Sequence, residues 1–450
     1  MMGSDVEVLI LGSGESGISV AKLLASADCR LRLSTQGELR DEDRAFCHQS
    51  GIAIEEKGHT LEFAKGIHLC VPSPGIPPSN PILQYCLRNR IRIWSEPEVA
   101  SHFQKAPWIA ITGTNGKTTT STLIHAIWSK QESADLCGNI GKSFARSVYE
   151  NKPACPRVVE VSSFQLKFVE YFCPTVAVLL NLGVNHLDWH PNVEDYFGSK
   201  ANIFKNLRRP HVVVANYEDS LLRPYVQSSR ADVRWFGLNG VPRGYFIQKE
   251  WVVEDLGSGI TPLLPLTEYH LLGEHNLKNL LAAVAATRAV GVDKAVIRDA
   301  IATFASLPHR LEDLGILHGL RVVNDSKSTT VDSTLAALAA VPKPIVLIAG
   351  GKAKQPSFDK LPTSLLNALH SIFLYGESRD KLRALVTAST PLYSIESFDE
   401  AVREALRLAP RPSTLLLSPM CASFDQFQSY SERGTRFKNL VKEWQHALAI

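Results

Sequence analysis

WIAITGTNGKTTT, residues 108–120, is the stretch that decides the fold. Its first five residues form an unbroken apolar and β-branched run, which reads as a strand buried on both faces of a parallel sheet. Gly113 and Gly116 then stop the strand, and the residues after Lys117 open a helix running to about Ser129. A strand that turns through glycines into a helix suits a phosphate, because backbone N–H groups converge there and the helix N-terminus carries partial positive charge. Gly113, Thr114, Asn115, Gly116, Lys117, Thr118 and Thr119 are therefore candidate phosphate contacts. Lys117 would reach the terminal phosphates, and the Thr118 hydroxyl would serve a Mg²⁺ ion. Ile111 occupies the place of the first glycine in the usual G-x-x-x-x-G-K-[ST] pattern.

The same alternation continues on both sides. Upstream, VEVLIL (residues 6–11) reads as a strand, GSGESG (12–17) as its break, and Ile18, Ala21, Leu24 and Ala25 as one face of a helix. LRLS (31–34) and IHLCV (67–71) are further strands, and SPGIPPSNP (73–81) is a loop. The spacing Gly12-x-Gly14-x-x-Gly17 suits a pyrophosphate, but Ser34, Thr35 and Gln36 stand where a nicotinamide-dinucleotide site would place an acid. A nucleotide-diphosphate site is the better reading. Downstream, RVVEVSS, TVAVLLN and HVVVAN read as strands, short β segments fill 234–266, and a helix spans 275–290. RVVNDS, PIVLIAGG, SIFLYG and STLLLSP form a third series. The final helix carries Phe437, Leu440, Val441 and Trp444 on one face, a core stripe.

Length and composition agree with this layout. At 450 residues the chain has room for three domains. Lys+Arg 48 against Asp+Glu 45 gives a net charge of +3, which offers no electrostatic reason to expect nucleic acid. No apolar run approaches the ~18 residues of a membrane helix, and the N-terminus does not read as a signal peptide. The eight cysteines are scattered without C-x-x-C spacing, which points to reduced thiols in the cytoplasm rather than zinc or disulfides.

Three weaker clusters gain weight beside the phosphate loop. Glu160 ends a buried strand, where a carboxylate needs a partner or a metal. His186 and Asp188 follow the strand ending at Asn181, with Lys200 beyond them. Asp325 and Lys327, and Gly350-Gly351 with Lys352 and Lys354, lie at strand ends in the third series, where ligands of open parallel sheets bind.

Taken in order, ITGTNGKTT, EVSSFQL, NLGVNHLDWH, YFGSK, LLGEHNLKNLLAA, LPHRLE and NDSKSTT make the chain resemble the Mur ligases, ATP-dependent amino-acid-adding enzymes of peptidoglycan synthesis. SSFQL and SPMCASFDQFQSYSERGTRF resemble its D-glutamate-adding branch. Other Mur ligases and folylpolyglutamate synthase share the central site and are the alternatives. The resemblance implies an α/β fold with three domains: an N-terminal Rossmann-like domain (1–98), a central P-loop ATPase-like domain (99–305) and a C-terminal Rossmann-like domain (306–450). It implies ATP, two Mg²⁺ sites, and a monomer acting on UDP-N-acetylmuramoyl-L-alanine and D-glutamate through an acyl phosphate, with no nucleic-acid or membrane partner.

Carried over by position, the catalytic residues would be Lys117, Glu160, His186, Lys200 and Lys327, with Thr118, Glu160, His186 and a carbamylated Lys200 around the metals. Asn276, Asn279, Arg310, Asp325 and Lys327 would join the loop on ATP. Gly14, Glu15, Ser16, Gly17, Thr35, Ser73, Pro74, Gly75, Asn139 and His186 would hold the UDP substrate, and Thr329, Lys354, Ser423, Phe424 and Tyr430 the D-glutamate. The sequence departs from the family's pattern at GGKAKQ (350–355), at Tyr430 in place of Phe and at Trp189 in place of Arg.

Overall fold

Four consecutive apolar residues at 8–11 are fully buried, and they make the centre of the first sheet. The computed structural model describes residues 6–27, 29–151, 154–183, 186–187, 189–353, 358, 361–362, 366, 369–386 and 390–447. Contacts divide the chain into two compact units, Met1–Tyr269 with Lys278–Thr303, and His270–Leu277 with Phe304–Ile450.

The first unit holds two sheets. Strands β1 (Glu7–Leu11), β2 (Arg30–Ser34), β3 (Ala53–Glu55), β4 (Leu69–Pro72) and β5 (Arg92–Ile93) lie in the order β3-β2-β1-β4-β5, all parallel. The order reverses between β1 and β4, which opens a crevice at their carboxyl ends. The second sheet contains β6 (Trp108–Thr112), β7 (Asp135–Gly138), β8 (Arg157–Glu160), β9 (Val176–Leu179), β10 (Arg208–Asn216), β11 (Arg230–Phe236), β12 (Gly244–Gln248), β13 (Trp251–Asp255) and β14 (Thr261–Pro265). Their order is β14-β13-β12-β11-β10-β9-β6-β8-β7, parallel from β7 to β12 and antiparallel through β13 and β14. Strand β6 pairs Ile111 with Glu160 on one side and Thr112 with Leu179 on the other, so the loops after β6, β8 and β9 share one edge.

A continuous core joins the two sheets. Ile18, Val20 and Leu24 of the helix Glu15–Ala25 belong to the same buried cluster as Phe144 and Val148 of the helix Phe144–Asn151. Burying such side chains contributes roughly 1.5–3 kcal/mol each. Glu98, fully buried, accepts backbone N–H bonds from Glu170 (3.0 Å), Tyr171 (2.8 Å) and Phe172 (3.0 Å), tying the end of the first sheet's segment to the second.

The second unit is built on β15 (Glu312–Leu317), β16 (Leu320–Asn324), β17 (Ile345–Gly350), β18 (Ser371–Tyr375), β19 (Leu392–Ser394) and β20 (Ser413–Met420), in the order β15-β16-β20-β17-β18-β19. All pairs are parallel except the edge pair β15–β16. Leu338, Leu347 and Leu374 pack on one face, and Phe373, Phe398, Phe437 and Leu440 on the other. The stripe on the helix Tyr430–Ala447 is thus core, with Trp444 packed at its margin. The eight cysteines are free thiols, and among the described residues no helix is long and apolar enough to cross a membrane.

Candidate active site

The loop after β6 folds as its glycines dictate. Gly116 has φ +83° and starts the helix Lys117–Gln131; a Cβ there would lie 2.4 Å from Asn279 Oδ1. Asn181, after β9, braces the loop: its Oδ1 accepts from Asn115 N–H at 2.9 Å and its Nδ2 donates to Asn115 O at 3.1 Å. Thr114 Oγ1 donates to Gly183 O at 3.1 Å and accepts from Gly183 N–H at 2.9 Å. Asn279 is buried and accepts from Thr120 Oγ1 at 3.2 Å, so its amide lies against the first turn of the helix.

The charged groups converge on this loop. Lys117 Nζ donates to Gly113 O at 2.9 Å and Thr114 O at 3.1 Å. Lys200, 2% exposed, donates to the same Gly113 O at 2.8 Å and lies over the Tyr196 ring. Burial, followed by the neighbouring Lys117 charge, pushes the Lys200 ammonium down to about 6, against the pull of Glu160. Glu160, also 2% exposed, accepts from Thr118 Oγ1 at 3.0 Å on Oε2 and from Asn139 Nδ2 at 3.1 Å on Oε1. A buried carboxylate and a threonine hydroxyl are hard oxygen donors. One or two carboxylates completed by a hydroxyl, water and phosphate are what Mg²⁺ takes, so Glu160 and Thr118 fit that ion.

Beside them, His186 is exposed in left-handed backbone (φ +55°) with its ring 4.9 Å from Phe164. His190, which the motifs did not single out, is the buried imidazole: Nδ1 is 2.7 Å from Asp195 Oδ2 and Nε2 is 3.0 Å from Ser163 Oγ. Burial pulls it below the usual histidine range, partly offset by Asp195. It links Ser163, after β8, to Asp195 in the helix carrying Lys200. Asp188 lies outside the described residues.

At the crevice of the first sheet, Gly12 has φ +96° and a Cβ there would meet Ser73 Oγ at 2.5 Å. Around Gly14 the space is open, whereas a Cβ on Gly17 would strike Gly12 O at 1.9 Å. Thr35 is buried with its Oγ1 2.8 Å from Ser13 Oγ. Ser73 Oγ is buried without a partner among the described residues, and Pro74 and Gly75 continue its loop. Glu15 accepts from Ser143 N–H at 2.8 Å, so its carboxylate joins this loop to the central sheet. The acid missing after β2 has a spatial counterpart: Glu55, at the end of β3, accepts from Ser34 Oγ at 2.6 Å.

In the second unit, Asp325, Lys327, Thr329, Ser423, Phe424 and Tyr430 gather at the carboxyl ends of β16 and β20. Asp325 accepts from Leu311 N–H at 3.1 Å and Ser418 Oγ at 2.9 Å, and burial raises its carboxyl to about 6. Lys327 Nζ stands 3.7 Å from the centre of the Tyr430 ring. Ser423 is buried, whereas Phe424 is 66% exposed. Arg310 follows the strained His309 (φ +65°), and Asn276 donates to Leu272 O at 2.8 Å. Lys354 lies outside the described residues.

These loops match known proteins over the whole chain. The MurD N-terminal domain matches residues 7–82, the Mur ligase middle domain 111–287, and the Mur ligase glutamate ligase domain 309–421. The UDP-N-acetylmuramoylalanine--D-glutamate ligase of Acidobacterium capsulatum is 35% identical over 98% of this chain and 99% of its own length. That of Salinibacter ruber is 36% identical over 96% and 97%. The chain belongs to the Mur ligase family.

Solved Mur ligases share its α/β fold. The MurF ligase of Thermotoga maritima in complex with ADP aligns with TM-score 0.61 at 15% identity over 94% of this chain and 97% of that one. UDP-N-acetylmuramate-alanine ligase MurC of the same organism aligns with TM-score 0.56 at 19% identity over 98% and 99%. Within this Mur ligase chain, the first unit brings Lys117, Thr118, Glu160, Asn139, Lys200 and Asn279 around one loop. The second brings Asp325, Lys327, Ser423 and Tyr430 to one sheet edge. Residues to which the motif reading gave no role are Glu15's partner Ser143, and His190 and Arg433, which lie within quoted motifs. Only Arg433 left a signal, as a charge inside the apolar stripe of the last helix.

Proposed function

We propose that this chain joins D-glutamate to UDP-N-acetylmuramoyl-L-alanine at the expense of ATP, giving ADP and phosphate, as a step of peptidoglycan synthesis. The observation that carries the reading is the convergence of Lys117, Thr118, Glu160 and Lys200 on one phosphate loop in a chain aligned end to end with relatives named for this reaction. The substrate's free carboxylate would attack the γ-phosphorus of ATP, forming an acyl phosphate and releasing ADP. The amine of D-glutamate would then attack the acyl carbon, and the tetrahedral intermediate would expel phosphate.

Each residue's part follows from its chemistry. The loop's N–H groups and Lys117 hold the phosphates; Lys117 exchanges its carbonyl partners for phosphate oxygens, a charge-assisted and stronger bond. Asn276 and Asn279 would face the adenine side, with Arg310, Asp325 and Lys327 on the phosphates. Mg²⁺ held by Thr118 and Glu160, and a second ion near Glu160 and His186, would neutralise charge on the reacting oxygens. Lys200, pushed down to about 6, is a free-base amine at neutral pH. Its lone pair can add to CO₂, and loss of one proton leaves an anionic carbamate suited to a cation-rich site. Gly14 to Gly17, Thr35, Ser73 to Gly75 and Asn139 would take the UDP substrate, and Thr329, Lys354, Ser423, Phe424 and Tyr430 the D-glutamate. Segments 1–98, 99–305 and 306–450 would be the UDP-substrate, ATP and amino-acid domains of a cytoplasmic monomer.

The test is a panel of amino acids with ATP, Mg²⁺ and UDP-N-acetylmuramoyl-L-alanine, read as phosphate release. D-glutamate alone is expected to support turnover. Turnover with a different amino acid, or none with D-glutamate, overturns the reading.

A further inference from the structure

Arg433 is 0% exposed, yet nothing in the proposed chemistry uses it. All five of its N–H groups are bonded. Nε donates to Ser326 Oγ at 3.0 Å, Nη1 to Tyr375 Oη at 3.1 Å and Cys421 O at 3.2 Å, and Nη2 to Ser326 O at 2.8 Å and Cys421 O at 3.2 Å. Every acceptor is uncharged. A buried guanidinium with no carboxylate bonded to it among the described residues is an expensive way to fill space, since an apolar side chain of similar volume would pack without desolvating a charge. What such a group supplies is geometry, because its planar fork fixes the direction of each bond.

The bonds land where the site is built. Ser326 follows β16, Tyr375 ends β18 and Cys421 follows β20. The glycine turn after β17 also presses on the fork: a Cβ on Gly351 would lie 3.2 Å from Nη1. Ser326 relays the constraint, accepting from Arg433 and donating to Tyr430 O at 2.8 Å. Tyr430 in turn carries Lys327 against its ring. One side chain thus bonds to the carboxyl ends of three inner strands of this sheet, lies next to the glycine turn after the fourth and, through Ser326, reaches both members of the Lys327–Tyr430 pair.

We infer that Arg433 is a positioning residue for the ligation step: it holds the loop bearing Lys327 in register with the loop bearing Ser423 and Phe424, so that the amino acid and the phosphate end of the reaction meet at a fixed distance. The inference rests on the assignment of those loops to D-glutamate and ATP.

The test uses the full-length protein, with Arg433→Lys keeping the charge without the fork and Tyr375→Phe removing a single acceptor. Wild-type protein is assayed first with D-glutamate; failure at that point sinks the functional assignment rather than this inference. For Arg433→Lys we expect the D-glutamate KM to rise and kcat to fall about tenfold or more, because an ångström of misplacement can cost ~10²-fold. The KM for UDP-N-acetylmuramoyl-L-alanine should stay within about twofold, since no bond to the first unit's crevice is touched. Tyr375→Phe should move the D-glutamate KM the same way by about two- to fivefold, as expected for one hydrogen bond. A folded Arg433→Lys protein with wild-type D-glutamate KM and kcat overturns the inference. So does a loss of activity that tracks only the folded fraction, with every KM unchanged. Should Arg433→Lys not fold, Tyr375→Phe decides: an unchanged D-glutamate KM there counts against the proposal, and a selective rise supports it.

Discussion

Replacing Lys200 by Met should make the protein more stable and less active, with a gain that depends on pH in a defined direction. In the unfolded chain this amine titrates at 10.5; in the folded protein burial and Lys117 hold it near about 6. Below about pH 6 both states carry the proton, and above 10.5 neither does. Between them the unfolded state binds a proton that the folded state lacks, so the wild-type protein gains stability as pH rises. Methionine has no such handicap. The advantage of Lys200→Met is therefore largest below about pH 6 and above that shrinks by up to ~1.4 kcal/mol per pH unit. From about pH 6.5 to 9.5 it should fall by ~4 kcal/mol as a ceiling, and by about half of that if the site relaxes. The hydrogen bond lost to Gly113 O, ~1 kcal/mol, subtracts equally at every pH. Gly113 O keeps Lys117 as a donor, so no acceptor is stranded. Urea unfolding of both proteins in CO₂-free buffers across that range measures the difference. A difference that stays flat with pH, or grows toward alkaline pH, refutes the idea that a desolvated ammonium sits beside the loop. Ligation by the variant should drop and recover in part with acetate, which can replace a carbamate's carboxylate-like charge.

Two further substitutions separate the crevice from the core. Gly17→Ala places a methyl 1.9 Å from Gly12 O, which is backbone and cannot swing away. It should cost about 3 kcal/mol and raise the UDP-substrate KM about tenfold, leaving that for ATP unchanged; wild-type kinetics would rule out the close helix-to-loop approach. Glu98→Ala strands three N–H groups, at about 1–3 kcal/mol each, so about 3–9 kcal/mol should be lost in urea unfolding. A loss under ~1 kcal/mol would mean that water reaches those donors.

The sequence exposed the inner strands and hid the outer ones. Residues 8–11, 109–111, 176–179 and 345–349 are continuous apolar runs because helices or loops cover both faces of those strands. Strands β3, β5, β7, β15 and β19 carried no such run, and all five stand at sheet edges, where one flank is open and few apolar residues are needed. The glycine loops and Lys117 were legible because close backbone approach leaves only glycine as a choice, and a phosphate needs a cation. What Glu15 does beyond the glycine loop, and what Glu55, His190 and Arg433 do, was not. Each acts through a partner far along the chain: Ser143, Ser34, Ser163 and Ser326. No local spacing encodes such a pairing.

The two lysines that share Gly113 O show why the site is arranged for an anion. Lys117 and Lys200 both point N–H hydrogens at one carbonyl, and the Lys117 charge adds to burial in driving Lys200 towards its free base. Glu160 is the buried carboxylate that offsets them, yet its oxygens already face Thr118 and Asn139. Phosphate would relieve this crowding better than any neutral group could. A bound phosphate would draw Lys117 off Gly113 O, and its own charge would favour a cation at the same loop. A carbamate on Lys200 would turn that neutral amine into an anionic oxygen donor beside Thr118 and Glu160. The low affinity of Lys200 for its proton is then what makes the conversion chemically accessible at neutral pH, because only the free base can attack CO₂.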